Sequence, residues 1–165
     1  MPQVVFTLGD DVSTDAIYPG RFMATVLPTE TPQFAFADYE FNGRLKAKQV
    51  PPGSVIVAAN NFGCGSSREQ AASTLKGYEL VVIAKGFARI FLQNSANLGL
   101  RTIICPDIDA AEGDELELTL TAVINKTKGK THAIVPLPKA RQDIIDAGGL
   151  IAYTRKRLVQ KHATA

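Results

Sequence analysis

Residues 54–72 read Ser-Val-Ile-Val-Ala-Ala-Asn-Asn-Phe-Gly-Cys-Gly-Ser-Ser-Arg-Glu-Gln-Ala-Ala, and the central strand and helix of the predicted fold come from this segment. The apolar run Val55 to Ala59 predicts a buried strand, residues 60–65 predict a tight polar turn, and Ser66 onward predicts the beginning of a helix. Unpaired N–H groups in the first turn of a helix, together with a dipole charge of about +0.5, favour an anion there. Arg68 adds a guanidinium fork that fits a carboxylate. The stretch is therefore predicted to bind an anion.

A purely structural interpretation of the same residues stays open. Ser66 or Ser67 could cap the helix, and Glu69 or Gln70 could complete a capping box three residues later. Capping boxes are commoner than active sites, so the local pattern alone favours the cap. The two roles do not exclude each other.

Apolar runs on both sides of this stretch predict further strands, and helical spacing between them predicts helices. The strands are expected at Val4 to Leu8, Leu80 to Ala84 and Leu100 to Cys105, and the helices at Arg68 to Lys76 and within residues 86–99. This alternation predicts a parallel core with right-handed crossovers. Residues 9–15 predict a polar turn, and residues 34–41 a short helix within an irregular surface connection.

The C-terminal part predicts a different arrangement. Glu115 to Ile124 alternates between apolar and polar residues, residues 125–130 are polar, and Thr131 to Val135 returns, which together indicate a β-hairpin. Helices are expected at residues 142–147 and 150–159, on either side of a Gly-Gly pair.

Composition limits the class of protein. With 165 residues, 45% hydrophobic and 21% charged, residues 1–165 are expected to form a single globular domain. The net charge is only +2, and the one dense basic cluster, residues 155–161, is typical of a solvated helix end, so no nucleic-acid partner is expected. The N-terminus lacks a basic segment followed by an apolar run, and no apolar stretch approaches about 18 residues. A cytoplasmic protein with no membrane partner is expected.

Only two cysteines occur, Cys64 and Cys105. They cannot form a disulfide framework, an iron–sulfur cluster or a tetrahedral zinc site, so no metal is expected on this chain and any metal must come from elsewhere. Cys64 could be a nucleophile, although a small thiol in a glycine turn is at least as well explained by packing. The two histidines, His132 and His162, lie far along the chain, and no nucleophile-elbow or P-loop pattern occurs, so neither a serine hydrolase nor a P-loop enzyme is expected.

Four blocks of the sequence together resemble a known family. They are Asp-Val-Ser-Thr-Asp-Ala-Ile at residues 11–17, Asn-Phe-Gly-Cys-Gly-Ser-Ser-Arg-Glu-Gln-Ala at 61–71, Phe-Ala-Arg-Ile-Phe at 87–91 followed by Asn94, and Ala-Gly-Gly-Leu at 147–150. The chain resembles the archaeal-type small subunits of 3-isopropylmalate dehydratase and homoaconitase, which are free-standing equivalents of the mobile C-terminal domain of aconitase. The resemblance covers nearly the whole chain, in order and at family length.

This resemblance implies a swivelling β/β/α fold with a mostly parallel core sheet, a C-terminal β-hairpin and helices. It implies a hydro-lyase subunit of leucine biosynthesis that isomerises a hydroxy dicarboxylate by dehydration and rehydration, active only with a large aconitase-like subunit. The family's 4Fe-4S cluster is held by three cysteines of that large subunit. Its open iron acts as a Lewis acid on the departing hydroxyl.

The resemblance also implies roles for single residues. Ser66 matches the catalytic base, which acts as an alkoxide, and Asp15 matches an acidic residue near that base. Ser67 and Arg68 match positions that bind a substrate carboxylate. Gln70 stands where aconitases have histidine, so no proton-shuttling role is implied there.

The substrate is expected to depend on the loop of residues 18–25, Tyr-Pro-Gly-Arg-Phe-Met-Ala-Thr, which in the family reaches the variable substituent. Homoaconitase-type subunits carry an arginine at the position of Ala24, which cannot pair with an extra carboxylate. Phe22 and Met23 offer apolar surface, where each buried CH₂ gains about 0.8 kcal/mol. This favours 3-isopropylmalate, then dimethylmalate, with homoaconitate or citrate behind.

Two alternatives stay open. Another path of the loop could bring Arg21 into the pocket and restore a tricarboxylate substrate. The contrasting class of protein is a non-catalytic anion-binding module that uses the same helix start.

Overall fold

Four parallel strands form the central sheet of the protein. The computed structural model describes residues 1–163, with side chains as far as Gln160, so the side chain of His162 lies outside the described part. The strands are β1 (Val4–Leu8), β2 (Val55–Ala58), β3 (Val81–Ala84) and β4 (Thr102–Ile104), in the order β1-β2-β3-β4. Every residue of β2 and β3 is buried, which explains their continuous apolar runs, because a parallel sheet is covered on both faces. The predicted parallel core is confirmed.

The two faces of this sheet pack against different layers. Ile56 and Ala58 of β2 belong to the core beneath the helices, which includes Leu75 and Phe91. Val55 and Val57 of the same strand face a second sheet, with Leu116 and Val123 among their neighbours. Alternate residues of β2 therefore pack against the helical layer on one face of the parallel sheet and against the second sheet on the other face.

The second sheet is antiparallel and has three strands, where a hairpin was expected. They are β5 (Leu116–Leu118), β6 (Ala122–Asn125) and β7 (Lys130–Ala133), in the order β5-β6-β7. Strands β6 and β7 form the predicted hairpin. The expectation of one strand from Glu115 to Ile124 is wrong, because Thr119 Oγ1 accepts the Ala122 N–H at 2.9 Å and turns the chain there. Leu120, at the tip of that turn, is 89% exposed, so its place in the alternation reflects no buried face.

Six helices are found among the described residues. They are α1 (Thr14–Ile17), α2 (Asn42–Lys46), α3 (Gln70–Gly77), α4 (Arg89–Leu98), α5 (Lys139–Asp146) and α6 (Leu150–Ala163). The four longer helices occur where the sequence predicts them. None of the helices in the described range is long and apolar enough to cross a membrane.

The Gly-Gly pair between α5 and α6 explains one of the four sequence blocks. Gly99 ends α4 with φ = 73°, and a Cβ there would lie 2.4 Å from the carbonyl carbon of Gly148. A Cβ on Gly149 would lie 2.7 Å from Asn97 O. Since backbone meets backbone at these positions, only glycine allows α5 and α6 to dock on the end of α4.

The connection before β2 differs from the prediction. The short helix expected at residues 34–41 is wrong: a 3₁₀ turn at Thr31–Phe34 and helix α2 flank it on either side. The rings between them form an aromatic cluster, with Phe41 stacked on Phe6 at 4.0 Å and edge-on to Phe36 at 5.2 Å. Phe36 has φ = 49°, which lies outside the right-handed helical region, so the path of this segment follows the packing of the rings and not a helix.

Candidate active site at the carboxyl ends of the parallel strands

The loops that follow β1, β2 and β3 lie together at one edge of the sheet. Hydrogen bonds continue the parallel pairing past the strand ends, from Gly63 N to Val12 O at 2.7 Å and from Thr14 N to Cys64 O at 2.7 Å. On the other side, Phe62 N donates to Gly86 O at 3.0 Å. The blocks at residues 11–17, 61–71 and 87–91 are thereby brought together at the carboxyl edge, where open α/β sheets bind ligands.

Glycines shape the turn that leads to Ser66. Gly63 has φ = 80° and Gly65 has φ = 95°, in the left-handed region that favours glycine. A Cβ on Gly63 would lie only 2.2 Å from Cγ of Phe91, so this turn packs directly on α4. The turn and α4 together fix the position at which Ser66 leaves the sheet edge.

Ser66 is bound to Thr14 through both its backbone and its side chain. Ser66 N donates to Thr14 Oγ1 at 3.1 Å, and the two hydroxyl oxygens lie 3.0 Å apart, where either can donate. Thr14 is 1% exposed, whereas Ser66 is exposed. Sequence reasoning gave Thr14 no role. The signal available was its place at the end of the polar turn that follows β1, the neighbour of β2.

The capping interpretation of Ser66 and Ser67 is wrong. Helix α3 begins at Gln70, and its N-cap residue is Glu69, whose side chain makes no capping hydrogen bond. Among the described residues, no atom accepts a hydrogen bond from the backbone N–H groups of residues 67–71. A series of free donors thus follows Ser66 and runs into the first turn of α3, where the helix dipole also favours negative charge.

Arg68 is anchored beside this series of donors. Its Nη1 donates to Asp15 Oδ1 and, at 3.3 Å, to Tyr18 O, while the Gly20 N–H donates to the same Asp15 oxygen at 2.8 Å. The hydrogen bond from Arg68, followed by that from Gly20, lowers the pKa of Asp15. The structure brings Asp15 and Arg68 together, as ionised partners.

Ser67 is positioned from α4. Asn94 Nδ2 donates to Ser67 O at 3.1 Å, and this fixes the backbone while the Ser67 side chain remains exposed. Asn94 belongs to the blocks that carried the family resemblance, and this contact gives it a structural function.

The loop of residues 18–25 is held from beneath by Tyr18. The ring of Tyr18 is buried, and its hydroxyl lies within hydrogen-bond distance of Phe22 O (3.1 Å) and Thr25 O (3.2 Å). The Phe22 ring stacks on Phe34 at 4.2 Å, while Met23 is 48% exposed and Ala24 is exposed as well. Of the predicted apolar surface, Met23 and Ala24 are open, whereas Phe22 is mostly engaged with Phe34.

Arg21, in the same loop, is paired with Asp38. Its two terminal nitrogens bind both carboxylate oxygens of Asp38, at 3.0 and 2.5 Å, and its guanidinium carbon lies 4.6 Å from the centre of the Phe22 ring. The two side chains are 53% and 59% exposed. Sequence reasoning gave Asp38 no role, and no local signal marks it.

The cysteines do not fit an iron–sulfur cluster. Cys64 Sγ donates to Asp11 O at 3.4 Å at the site edge, whereas Cys105 is buried between the sheets, where burial raises its pKa to about 11. No group of three or more metal-ligating side chains is found within the described residues. No cluster is assigned to this chain.

Comparison with known proteins supports one family throughout. The model of the aconitase C-terminal domain matches residues 26–107. The 3-isopropylmalate dehydratase small subunit of Methanosarcina mazei is 47% identical over 159 residues, covering 93% of this chain and 95% of the relative. The isopropylmalate/citramalate isomerase small subunit of Methanocaldococcus jannaschii is 42% identical over 163 residues, covering 94% of each chain.

A solved structure agrees along the whole chain. The crystal structure of 3-isopropylmalate dehydratase from Methanocaldococcus jannaschii matches with a TM-score of 0.89 and 38% identity, covering 99% of this chain and 98% of that one. Identity of this extent, the shared fold and the glycine turn with its Gly-Ser-Ser-Arg sequence lead to one conclusion: the chain belongs to the family of 3-isopropylmalate dehydratase small subunits, within the aconitase C-terminal-domain proteins, and is a hydro-lyase subunit.

Proposed function

We propose that this chain supplies the base and the carboxylate-binding residues of a dehydratase that isomerises a branched malate by removing water and adding it back. The observation that carries the proposal is the contact of the Ser66 hydroxyl with buried Thr14, at the meeting of two loops and in front of the free N–H groups of residues 67–71.

Ser66 is assigned the role of base. A serine hydroxyl is a poor base at neutral pH, so its surroundings must favour the alkoxide. Because Thr14 Oγ1 already accepts the Ser66 N–H, it can donate its own hydrogen to Ser66 Oγ, and a donor to the charged form lowers the pKa of that hydroxyl. The alkoxide takes the proton from the carbon next to a substrate carboxylate, and the resulting hydroxyl returns it during rehydration.

Arg68 and Ser67 are assigned to the substrate carboxylate. Nη1 of Arg68 is held by Asp15 and Tyr18 O, while no acceptor among the described residues engages Nη2 or Nε. These two donors point in the paired geometry that a carboxylate accepts. Asp15, ionised through this pairing, fixes Arg68 near the base and restricts the directions in which it binds.

A second chain must complete the site. Ser66 and Ser67 are exposed and the side chain of Asp15 is 64% exposed, so nothing in the described chain shields the reaction from water. The relatives named above are small subunits, and that name implies a large subunit, where we expect the 4Fe-4S cluster. A cluster bound there supplies a Lewis acid for the departing hydroxyl.

The proposed substrate is 3-isopropylmalate, which places the chain in leucine biosynthesis. Open Met23 and Ala24 suit an isopropyl group better than a carboxylate, which would be buried there without a partner. A smaller branched malate, dimethylmalate, comes next. The isomerase subunit of M. jannaschii is named for isopropylmalate and citramalate, both of which carry an alkyl substituent.

The test is Ser66→Ala in the complex reconstituted with the large subunit. Loss of a positioned base lowers kcat by about 10²- to 10⁴-fold, while complex formation on size exclusion stays unchanged. Thr121→Ala is the matched control, since it removes an exposed hydroxyl in the turn between β5 and β6. Full turnover by Ser66→Ala would show that the chain is an anion-binding module or uses another base.

A further inference from the structure

We propose that Asp38 is a specificity-determining residue, because it holds the Arg21 guanidinium away from the substrate and so selects against hydroxy tricarboxylates. The proposal rests on the proposed function and deepens it.

Arg21 is attached next to the carboxylate-binding pair, and its guanidinium binds Asp38. The preceding residue, Gly20, lies against both members of the carboxylate-binding pair: a Cβ there would be 3.2 Å from Asp15 Oδ1 and 3.3 Å from Arg68 Nη2. The charges of Asp15 and Arg21 also reach each other, since each moves the pKa of the other group toward its ionised form. A guanidinium attached at this point could reach a second substrate carboxylate beside the one bound by Arg68.

Two contacts hold the guanidinium of Arg21 beside Asp38. Both carboxylate oxygens of Asp38 bind its terminal nitrogens, and the Phe22 ring supports it at 4.6 Å. Since Phe34 covers one face of the Phe22 ring at 4.2 Å, the guanidinium lies over the other. The Tyr18 hydroxyl donates to the Phe22 carbonyl oxygen and so holds the backbone from which this ring extends. The Arg21 guanidinium is therefore held by an ion pair with Asp38 and by packing against the Phe22 ring.

The ion pair is better explained by specificity than by stability. A pair exposed to solvent on both sides contributes little to folding. Its effect on a ligand is larger. An additional carboxylate at the loop finds the paired donors of Arg21 already bound, and it is also repelled by the negative charge of Asp38. An alkyl group avoids this competition and packs on Met23 and Ala24. Discrimination of this kind works by penalising the wrong ligand.

The test compares kcat/KM for 3-isopropylmalate, dimethylmalate and homocitrate in the reconstituted complex. Asp38→Asn keeps the shape and removes the charge, and we expect the homocitrate-to-isopropylmalate ratio to rise by about 10-fold or more, as a charged donor becomes free. Asp38→Glu restores a carboxylate and should bring the ratio back toward that of the unaltered chain. The double variant Arg21→Gln/Asp38→Asn should lose the gain, because the gain acts through Arg21.

Asp143→Asn is the control, since Asp143 forms an exposed ion pair with Lys139 on α5 and its loss should leave the ratio unchanged. An unchanged ratio in Asp38→Asn would overturn the proposal. The single variants Arg21→Gln and Asp38→Asn are also compared on 3-isopropylmalate. If both lose turnover of this substrate to the same extent, Arg21 binds it directly and Asp38 only positions Arg21, which would also overturn the proposal. Failure of the proposed function is a separate result: the unaltered complex would turn over none of the three acids.

Discussion

Thr14→Val removes the hydroxyl that binds Ser66 and leaves a side chain of nearly the same size and shape. We expect this change to slow the reaction far more than it destabilises the fold. Thr14 is 1% exposed, so the added methyl group occupies the space of the hydroxyl without meeting water. What disappears is the acceptor of the Ser66 N–H, at 3.1 Å, and the hydroxyl 3.0 Å from Ser66 Oγ.

The two effects have different magnitudes. A neutral hydrogen bond contributes about 0.5–1.5 kcal/mol net, and the fold loses the half-buried bond from the Ser66 N–H, so the stability loss should be near 1 kcal/mol, or roughly 2–4 °C in Tm for a chain of this size. A hydrogen bond to a charged group is worth about 1.5–3 kcal/mol. Its loss from the alkoxide lowers kcat by about 10- to 150-fold and moves the ascending limb of the pH profile, which reports the base, to higher pH by roughly one to two units.

The assay is steady-state kinetics of the reconstituted complex across pH, with melting curves of the same samples. Thr14→Ser is the matched control, because it keeps the hydroxyl and loses only a methyl group. KM should change little in either variant, since neither touches Arg68. Equal kcat values and equal pH profiles for Thr14→Val and Thr14→Ser would refute the argument that Thr14 tunes Ser66.

Two further predictions concern charged groups. Arg68→Lys should raise KM and lower kcat together, by about tenfold or more, because an ammonium cannot offer the paired donors of a guanidinium; if steady-state kinetics show both constants intact, Arg68 serves Asp15 alone. Hydrogen bonds from Lys128, then from Lys130, lower the pKa of Asp109 to about 2. Because the pKa of the folded state lies below the unfolded value of about 3.9, this stabilisation is present above pH 4 and is lost as the pH falls toward 2. Urea midpoints of Asp109→Asn should therefore depend less on pH in that window than those of the unaltered chain, whereas parallel curves would contradict this.

The parallel core could be predicted because its signal is local. Strands β2 and β3 are buried on both faces, so continuous apolar runs such as Val55 to Ala58 appear in the sequence itself. The alternation through Leu120 is just as regular, yet Leu120 is 89% exposed. Alternation shows that a strand could form and says nothing of where a threonine hydroxyl turns the chain.

The site was predicted in part, and its gaps have one physical cause. Ser66 and Ser67 fit a helix cap by local pattern, but a tertiary contact with Thr14, 52 residues away in sequence, replaces the cap. Asp38 reaches Arg21 only because aromatic packing at Phe36 and Phe41 replaces the predicted helix and sets the path of residues 34–41. Contacts between distant segments carry no periodicity, so neither could be found from spacing.

We infer from the openness of the site that a second subunit is needed to complete it. At the exposed surface, water screens the interaction of Ser66 and Asp15 with neighbouring charges, and Coulomb energies there are a small fraction of those in a dry interior. Arg68, with its side chain 20% exposed, is already largely withdrawn from water, and the donors of residues 67–71 are in place. We expect a second chain that covers this surface to exclude water and so to strengthen each of these interactions. In the proposed mechanism the groups that favour the Ser66 alkoxide are arranged before docking and become effective only after it, so we expect the isolated chain to be inactive even with its geometry intact.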